Sequence, residues 1–91
     1  MSTLHELVHS IGNIEREMQV FENKYDLLSD EFFQLFNAGE LSEFDAHDEY
    51  RMDFVEWSAL CRTRQKMTQA YEKLSRRRPA AIRIRRQLVT A

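Results

Sequence analysis

The stretch from Ser42 to Arg78 restricts the possible folds more than any other part of the chain. It contains neither proline nor glycine, so no residue in it forces a helix to end. With Ser42 as an N-terminal cap and Pro79 as the limit, it predicts a helix roughly 50 Å long. Its larger apolar residues recur at spacings of three and four, and they are Tyr50, Phe54, Trp57, Leu60, Cys61, Met67, Tyr71 and Leu74. A helix of that length needs another element packed along its apolar face.

The N-terminal segment predicts a second long helix, from about residue 3 to residue 26. Thr3 and Glu6 have the spacing of a capping box. Gly12-Asn13 is its weak point, because glycine costs about 1 kcal/mol inside a helix, but the apolar stripe continues through it. We therefore predict one continuous helix, straight or bent at this point. The stripe consists of Leu4, Val8, Ile11, Ile14, Met18, Phe21 and Tyr25.

A short aromatic segment separates these two helices. Ser29 is predicted to cap a helix from Asp30 to Ala38, which Gly39 ends in a left-handed conformation. Two helical turns cannot bury the four large apolar residues of this segment on one face, so we expect it to close the end of a hairpin. The predicted fold is all-α, an antiparallel hairpin of two long helices with a short aromatic helix at the turn, dimerising into a bundle.

The chain is divided into a helical domain, residues 1–78, and a basic C-terminal tail, residues 79–91. The tail fits a short helix or a segment that becomes ordered on binding, and the helix is favoured. A 91-residue domain buries roughly 60–65% of its unfolded surface, so we expect a homodimer or a complex with a partner protein. Trp57 fits a core position, yet the aromatics exceed what two helices bury. The candidates for partner contact are Phe32, Phe33, Phe36, Trp57 and Tyr71.

Charge is sharply divided along the chain. Residues 1–61 carry fourteen Asp/Glu and three Lys/Arg, whereas residues 62–91 carry ten Lys/Arg and one Glu. Either the acidic first helix neutralises the basic half of the long helix, or the basic end binds phosphate or an acidic protein. Nucleic-acid contact would be to the backbone, because residues 75–91 lack aromatics that could stack on bases. The candidate binding residues are Arg76, Arg77, Arg78, Arg83, Arg85 and Arg86.

Two patterns in the sequence contain residue types that can bind metal ions. His5-Glu6-Leu7-Val8-His9 matches the H-E-x-x-H pattern of zinc proteases, with Glu15 as the third ligand of an extended form. Only four residues precede it, whereas those enzymes have a sheet above the motif helix, so we interpret the pattern as a surface coincidence. The carboxylates Asp45, Glu49, Asp53 and Glu56 suit the start of a helix without any Mg²⁺. We predict no cofactor, no metal and no enzymatic activity. The lone Cys61 and the lack of a long apolar run predict a cytoplasmic protein with no membrane contact.

Three middle segments carry a resemblance to a known group of proteins. They read Lys24-Tyr25-Asp26-Leu27-Leu28-Ser29-Asp30-Glu31-Phe32-Phe33, then Gly39-Glu40-Leu41, then Asp53-Phe54-Val55-Glu56-Trp57. Over residues 20–60 the chain resembles small helical antitoxins of bacterial toxin–antitoxin pairs. Asp26 stands where that pattern prefers glycine, and the arginine-rich end is outside it. The resemblance implies a cytoplasmic protein that binds and neutralises a co-encoded toxin and also contacts promoter DNA.

Overall fold

The computed structural model describes residues 3–90, and these residues form helices and no strand. The all-α prediction is therefore confirmed for this part of the chain. The α-helices are α1 (Leu4–Tyr25), α2 (Ser29–Asn37), α3 (Asp48–Arg77) and α4 (Ala80–Thr90), and a 3₁₀ helix (Ser42–Ala46) precedes α3. Of the two alternatives for the tail, the described residues adopt the helix.

Helix α1 begins at a side-chain cap and ends at a residue in the left-handed conformation. The Thr3 hydroxyl accepts a hydrogen bond from the Glu6 N–H at 3.1 Å, as the capping box predicts. The helix continues through Gly12, which confirms the prediction of one continuous helix. It ends at Asp26, which adopts a left-handed conformation with φ 52°. Glycine adopts that conformation at no steric cost, and aspartate is one of the few other residues that tolerate it.

Replacing Gly12 with alanine is expected to raise the free energy of unfolding by about 0.5–1 kcal/mol. The added Cβ would meet the Arg16 guanidinium at 3.7 Å, an ordinary van der Waals contact. The gain comes from the lower entropy of the unfolded chain. Urea denaturation followed by circular dichroism measures it, and Gly39→Ala is the contrasting variant. Gly39 has φ 77°, so alanine there should destabilise, and a Gly12→Ala protein less stable than the parent would contradict the prediction.

The long helix starts five residues later than the sequence pattern indicates, because its N-cap is His47 and not Ser42. Residues Ser42–Ala46 form a 3₁₀ helix and His47 is extended, so the predicted start at Ser42 is wrong. The physical reason is Phe44, whose ring packs edge-on against Tyr50 and Phe54 with centroids 5.8 and 5.9 Å away. A continuous helix would not fold that ring back onto α3. The other end agrees with the prediction, because α3 stops at Arg77, just before Pro79.

The start of α2 also differs from the prediction. Ser29 is the first residue of the helix rather than its cap, and Leu28 occupies the cap position without a side-chain hydrogen bond. The Ser29 hydroxyl instead donates to the Glu22 carboxylate at 2.8 Å, because the side chain is turned into the core. Gly39 is left-handed, as predicted for the end of this segment.

Trp57 lies at the centre of the core. Its ring stacks on Phe32 with centroids 3.9 Å apart and planes only 3° from parallel. Phe21 and Tyr25 of α1 stack against the same indole at 5.7 and 5.9 Å. Three helices therefore meet on one side chain. The buried members of this cluster are Met18, Phe21, Phe32, Phe54, Trp57 and Cys61.

The molecule is elongated, with extents of 55 × 22 × 21 Å. Contacts pair the end of α1 with the start of α3, as in Tyr25 against Phe54, while Leu4 and Val8 near the start of α1 line a groove with Tyr71 near the end of α3. The radius of gyration is 16.9 Å, against about 12 Å for a compact chain of this length. Much of the helical surface is therefore left without internal packing.

Candidate functional site

Helix α4 is fixed against the end of α3 by one arginine. The Arg83 guanidinium donates to the Arg78 carbonyl at 3.0 Å and to the Ser75 hydroxyl at 2.9 Å. It also donates to the Tyr71 hydroxyl at 3.4 Å and lies over that ring, which lowers the Tyr71 pKa. Arg83 therefore has a structural role and is not free to bind phosphate. This role could not be predicted from local sequence patterns, because the contacts depend on the bend at Pro79.

The angle between α3 and α4 creates an apolar groove, which we call the α4 groove. It has a volume of about 740 Å³ and lies between the start of α1, the end of α3 and α4. Several of its apolar side chains are exposed, most of all Ile84 at 60% and Leu88 at 73%. A cluster of exposed apolar side chains is typical of an interaction surface. The lining residues used below are Leu4, Val8, Tyr71, Ile82, Ile84 and Leu88.

The predicted arginine cluster is split by the fold. Arg77, Arg78 and Arg86 line the α4 groove and place positive charge around its apolar floor. Arg76 and Arg85 are exposed and do not line the groove. The six arginines therefore form a charged rim, an anchor and an outer pair rather than one continuous patch.

The predicted partner-binding aromatics have different environments. Phe32 and Trp57 are each 0% exposed and fill the core, so their assignment to a partner surface is corrected: the rings are already covered by this chain. Phe33 and Phe36 are half-buried beside the core. Tyr71 is half-buried and lines the α4 groove.

The two histidines of the zinc-like pattern lie side by side on the exposed face of α1. Their ring centroids are 4.4 Å apart, as expected one turn apart on a helix. Glu15 lies on the same continuous helix, about 9 Å further along than His9, so it does not lie beside the two imidazoles. Among residues 3–90, no three His, Cys, Asp or Glu side chains are close enough to hold a metal ion.

The acidic stripe of α3 makes a structural contact at Asp53. Its carboxylate accepts hydrogen bonds from Lys24 and from the Tyr25 hydroxyl, both at 2.6 Å, and these lower its pKa. Burial and the bond to Asp53 raise the Tyr25 pKa to about 12. Lys24 also reaches Glu49 at 3.5 Å. This cluster joins the end of α1 to the start of α3.

Replacing Asp53 with asparagine is expected to lower the free energy of unfolding at pH 7 by about 1 kcal/mol. Because folding lowers the Asp53 pKa, its contribution is complete above the unfolded value near pH 4 and is lost as the pH falls through the folded value. The two proteins should therefore become equally stable in acid. Urea titrations from about pH 7 down to pH 2 measure the difference in free energy of unfolding between the two proteins. A difference that stays constant with pH would contradict the stabilising role of the Asp53 carboxylate.

A second, more polar groove of about 570 Å³ lies between α1, α2 and α3. In it Arg64 pairs with Asp30 of α2 at 2.6 Å. Within the described residues, no salt bridge joins the basic half of α3 to α1, so the predicted neutralisation by the first helix is not what the ion pairs show. Cys61 also borders this groove, but its thiol is buried, which raises its pKa and makes it a poor nucleophile.

No helix within residues 3–90 combines the length and the apolar composition needed to cross a membrane. No protein family matches the chain, and neither a curated protein nor a solved structure is found to be similar to it.

Proposed function

We propose that this chain is a non-catalytic, antitoxin-like interaction protein that binds a partner protein in the α4 groove. The observation that carries the proposal is the exposed apolar floor of the groove, formed by Val8, Ile84 and Leu88 beside Tyr71. The core around Trp57 is fully buried without these side chains, so its packing does not require them. The resemblance over residues 20–60 supports a cytoplasmic role in neutralising a co-encoded toxin.

The groove suits an acidic amphipathic helix of that partner. Helix α4 has 11 residues and is about 16 Å long, which matches three turns of a bound helix. Apolar side chains of the partner would lie on Ile84 and Leu88, and its carboxylates would meet Arg77 and Arg78 at the rim. We also propose that α1 and α3 form an antiparallel hairpin that dimerises, since the elongated shape leaves helical surface uncovered.

Co-expression with the protein encoded beside this one, followed by titration calorimetry of the purified pair, tests the proposal. Ile84→Glu with Leu88→Glu should weaken binding by about 100-fold, because both changes place charge on the apolar floor and repel acidic groups. Val20→Glu is the matched control, since Val20 is an exposed valine of α1 outside the groove. No binding, or equal binding by all variants, would overturn the proposal.

A second candidate function is contact with the phosphate backbone of nucleic acid through the exposed arginines Arg76 and Arg85. Their exposed side chains and the lack of aromatic residues in the sequence from 75 to 91 favour contact without base reading. Binding of a short DNA duplex should then fall steeply with salt, and Arg76→Ala with Arg85→Ala should reduce the slope of log K against log salt by about 2. A slope that these substitutions do not change would eliminate this candidate.

A further inference from the structure

The solvent side of α3 carries a continuous line of exposed residues, which we call the outer stripe. Its members recur at spacings of three, four and seven, the pattern of a helix-packing seam. Two of them are large apolar side chains with high exposure, Met52 at 68% and Val55 at 56%. The outer stripe consists of Met52, Val55, Ala59, Arg62, Lys66 and Lys73, all exposed.

The outer stripe runs from the acidic end of the molecule to the basic end. Residues 20–57, which surround the start of α3, carry eleven Asp/Glu and two Lys/Arg. Residues 3–19 and 58–90, at the other end, carry eleven Lys/Arg and four Asp/Glu. Within the described chain, Arg62, Lys66 and Lys73 form no salt bridge. The fold therefore separates charge along its 55 Å length instead of neutralising it.

We propose that the outer stripe is the docking surface for a second copy of this chain, bound antiparallel about a two-fold axis near the middle of α3. A polyanion would be repelled by the acidic half, and an acidic protein would leave Met52 and Val55 uncovered. A second copy complements both halves at once, because the acidic half of each copy lies on the basic half of the other. This inference rests on the proposed dimerisation and does not involve the α4 groove.

The antiparallel arrangement defines a register. With the axis at the level of Cys61, Lys66 lies level with Glu56 of the second copy and Lys73 lies level with its Glu49. Both carboxylates are exposed and flank the outer stripe. Glu49 would exchange its long contact with Lys24, 3.5 Å, for this pair. The same register places Met52 against Ala70 of the second copy, so apolar contacts flank the charged ones. Both pairs occur twice by symmetry. Exposed ion pairs are individually weak, so we expect a dissociation constant in the micromolar range that depends on salt.

Sedimentation velocity on the full chain tests the proposal. In about 50 mM NaCl the protein should dimerise, and about 500 mM NaCl should weaken the dimer by at least about 10-fold. Lys66→Glu with Lys73→Glu should be monomeric, as should Glu49→Lys with Glu56→Lys. Mixing these two variants should restore a heterodimer, because every reversed charge then faces an opposite one. Arg16→Glu with Arg85→Glu changes the net charge by the same amount as the double lysine variant. Both positions lie away from the outer stripe, so this protein should still dimerise.

Three outcomes would overturn the inference. They are a monomer at about 200 μM in low salt, a dimer whose strength does not change with salt, and reversed variants that do not combine. A monomer that binds a DNA duplex or the partner protein through Lys66 and Lys73 would assign the outer stripe to that ligand instead. Partner titrations with the Lys66→Glu, Lys73→Glu variant keep the proposals distinct, since loss of dimerisation should leave binding in the α4 groove intact.

Discussion

Replacing Trp57 with alanine is expected to lower the free energy of unfolding by about 4 kcal/mol. The indole is completely buried and stacks against Phe32, Phe21 and Tyr25, which belong to two other helices. Its removal leaves a cavity where α1, α2 and α3 meet. A domain of this size has a total stability of about 5–14 kcal/mol, so the variant should be largely unfolded well below the melting temperature of the parent.

Urea denaturation followed by circular dichroism measures this loss. Val20→Ala is the matched control, because Val20 is exposed on α1 and lies outside the core, the α4 groove and the outer stripe, and it should change stability by less than about 0.5 kcal/mol. A Trp57→Ala protein within about 1.5 kcal/mol of the parent would show that the indole does not organise the core.

Local signals predicted the long helices well. The Thr3–Glu6 capping box and the absence of proline and glycine between Ser42 and Arg78 act through neighbouring residues, which a sequence displays directly. The start of α3 could not be predicted in the same way. It depends on where the Phe44 ring packs, and that contact is made only after the chain has turned back on itself.

The choice between core and surface also depended on tertiary contacts. Phe32 and Phe33 are adjacent and chemically identical, yet only Phe32 is fully buried, because α2 turns that side toward Trp57. The number of aromatic residues indicated that some of them lie outside the core, but it could not identify which ones. Most of the large exposed apolar side chains are instead not aromatic, and Ile84 and Leu88 of α4 are among the most exposed of them.

The distribution of charge along the sequence also differs from its distribution in the folded molecule. The sequence divides near residue 61, which suggested that an acidic helix neutralises a basic one. Because the end of α1 lies beside the start of α3, most carboxylates gather at one end of the molecule and most cations at the other. The α4 groove and the outer stripe both lie partly in the basic region but share no residue, so the proposed partner and the proposed second copy would not compete for the same side chains.

Replacing Ser29 with alanine is expected to cost about 1–3 kcal/mol, although only one oxygen atom is lost. The buried Ser29 hydroxyl accepts a hydrogen bond from the Trp57 indole N–H at 2.8 Å and donates to the Glu22 carboxylate at 2.8 Å. Alanine would leave the indole N–H buried without a partner. Ser58→Ala is a stringent control, because Ser58 is equally buried but donates only to the Val55 carbonyl of its own helix. It should change stability by less than about 0.5 kcal/mol.

A double-mutant cycle with Trp57→Phe separates the hydrogen bond from packing. Phenylalanine has no N–H, so in its background Ser29→Ala should cost about 1 kcal/mol less than in the parent. The residual cost then reports the bond from Ser29 to Glu22, which ties α1 to the start of α2. Strict additivity of the two substitutions would show that the indole N–H contributes nothing here. Trp57 would then act through ring packing alone, and the polar contact beneath it would be incidental to the position of α2.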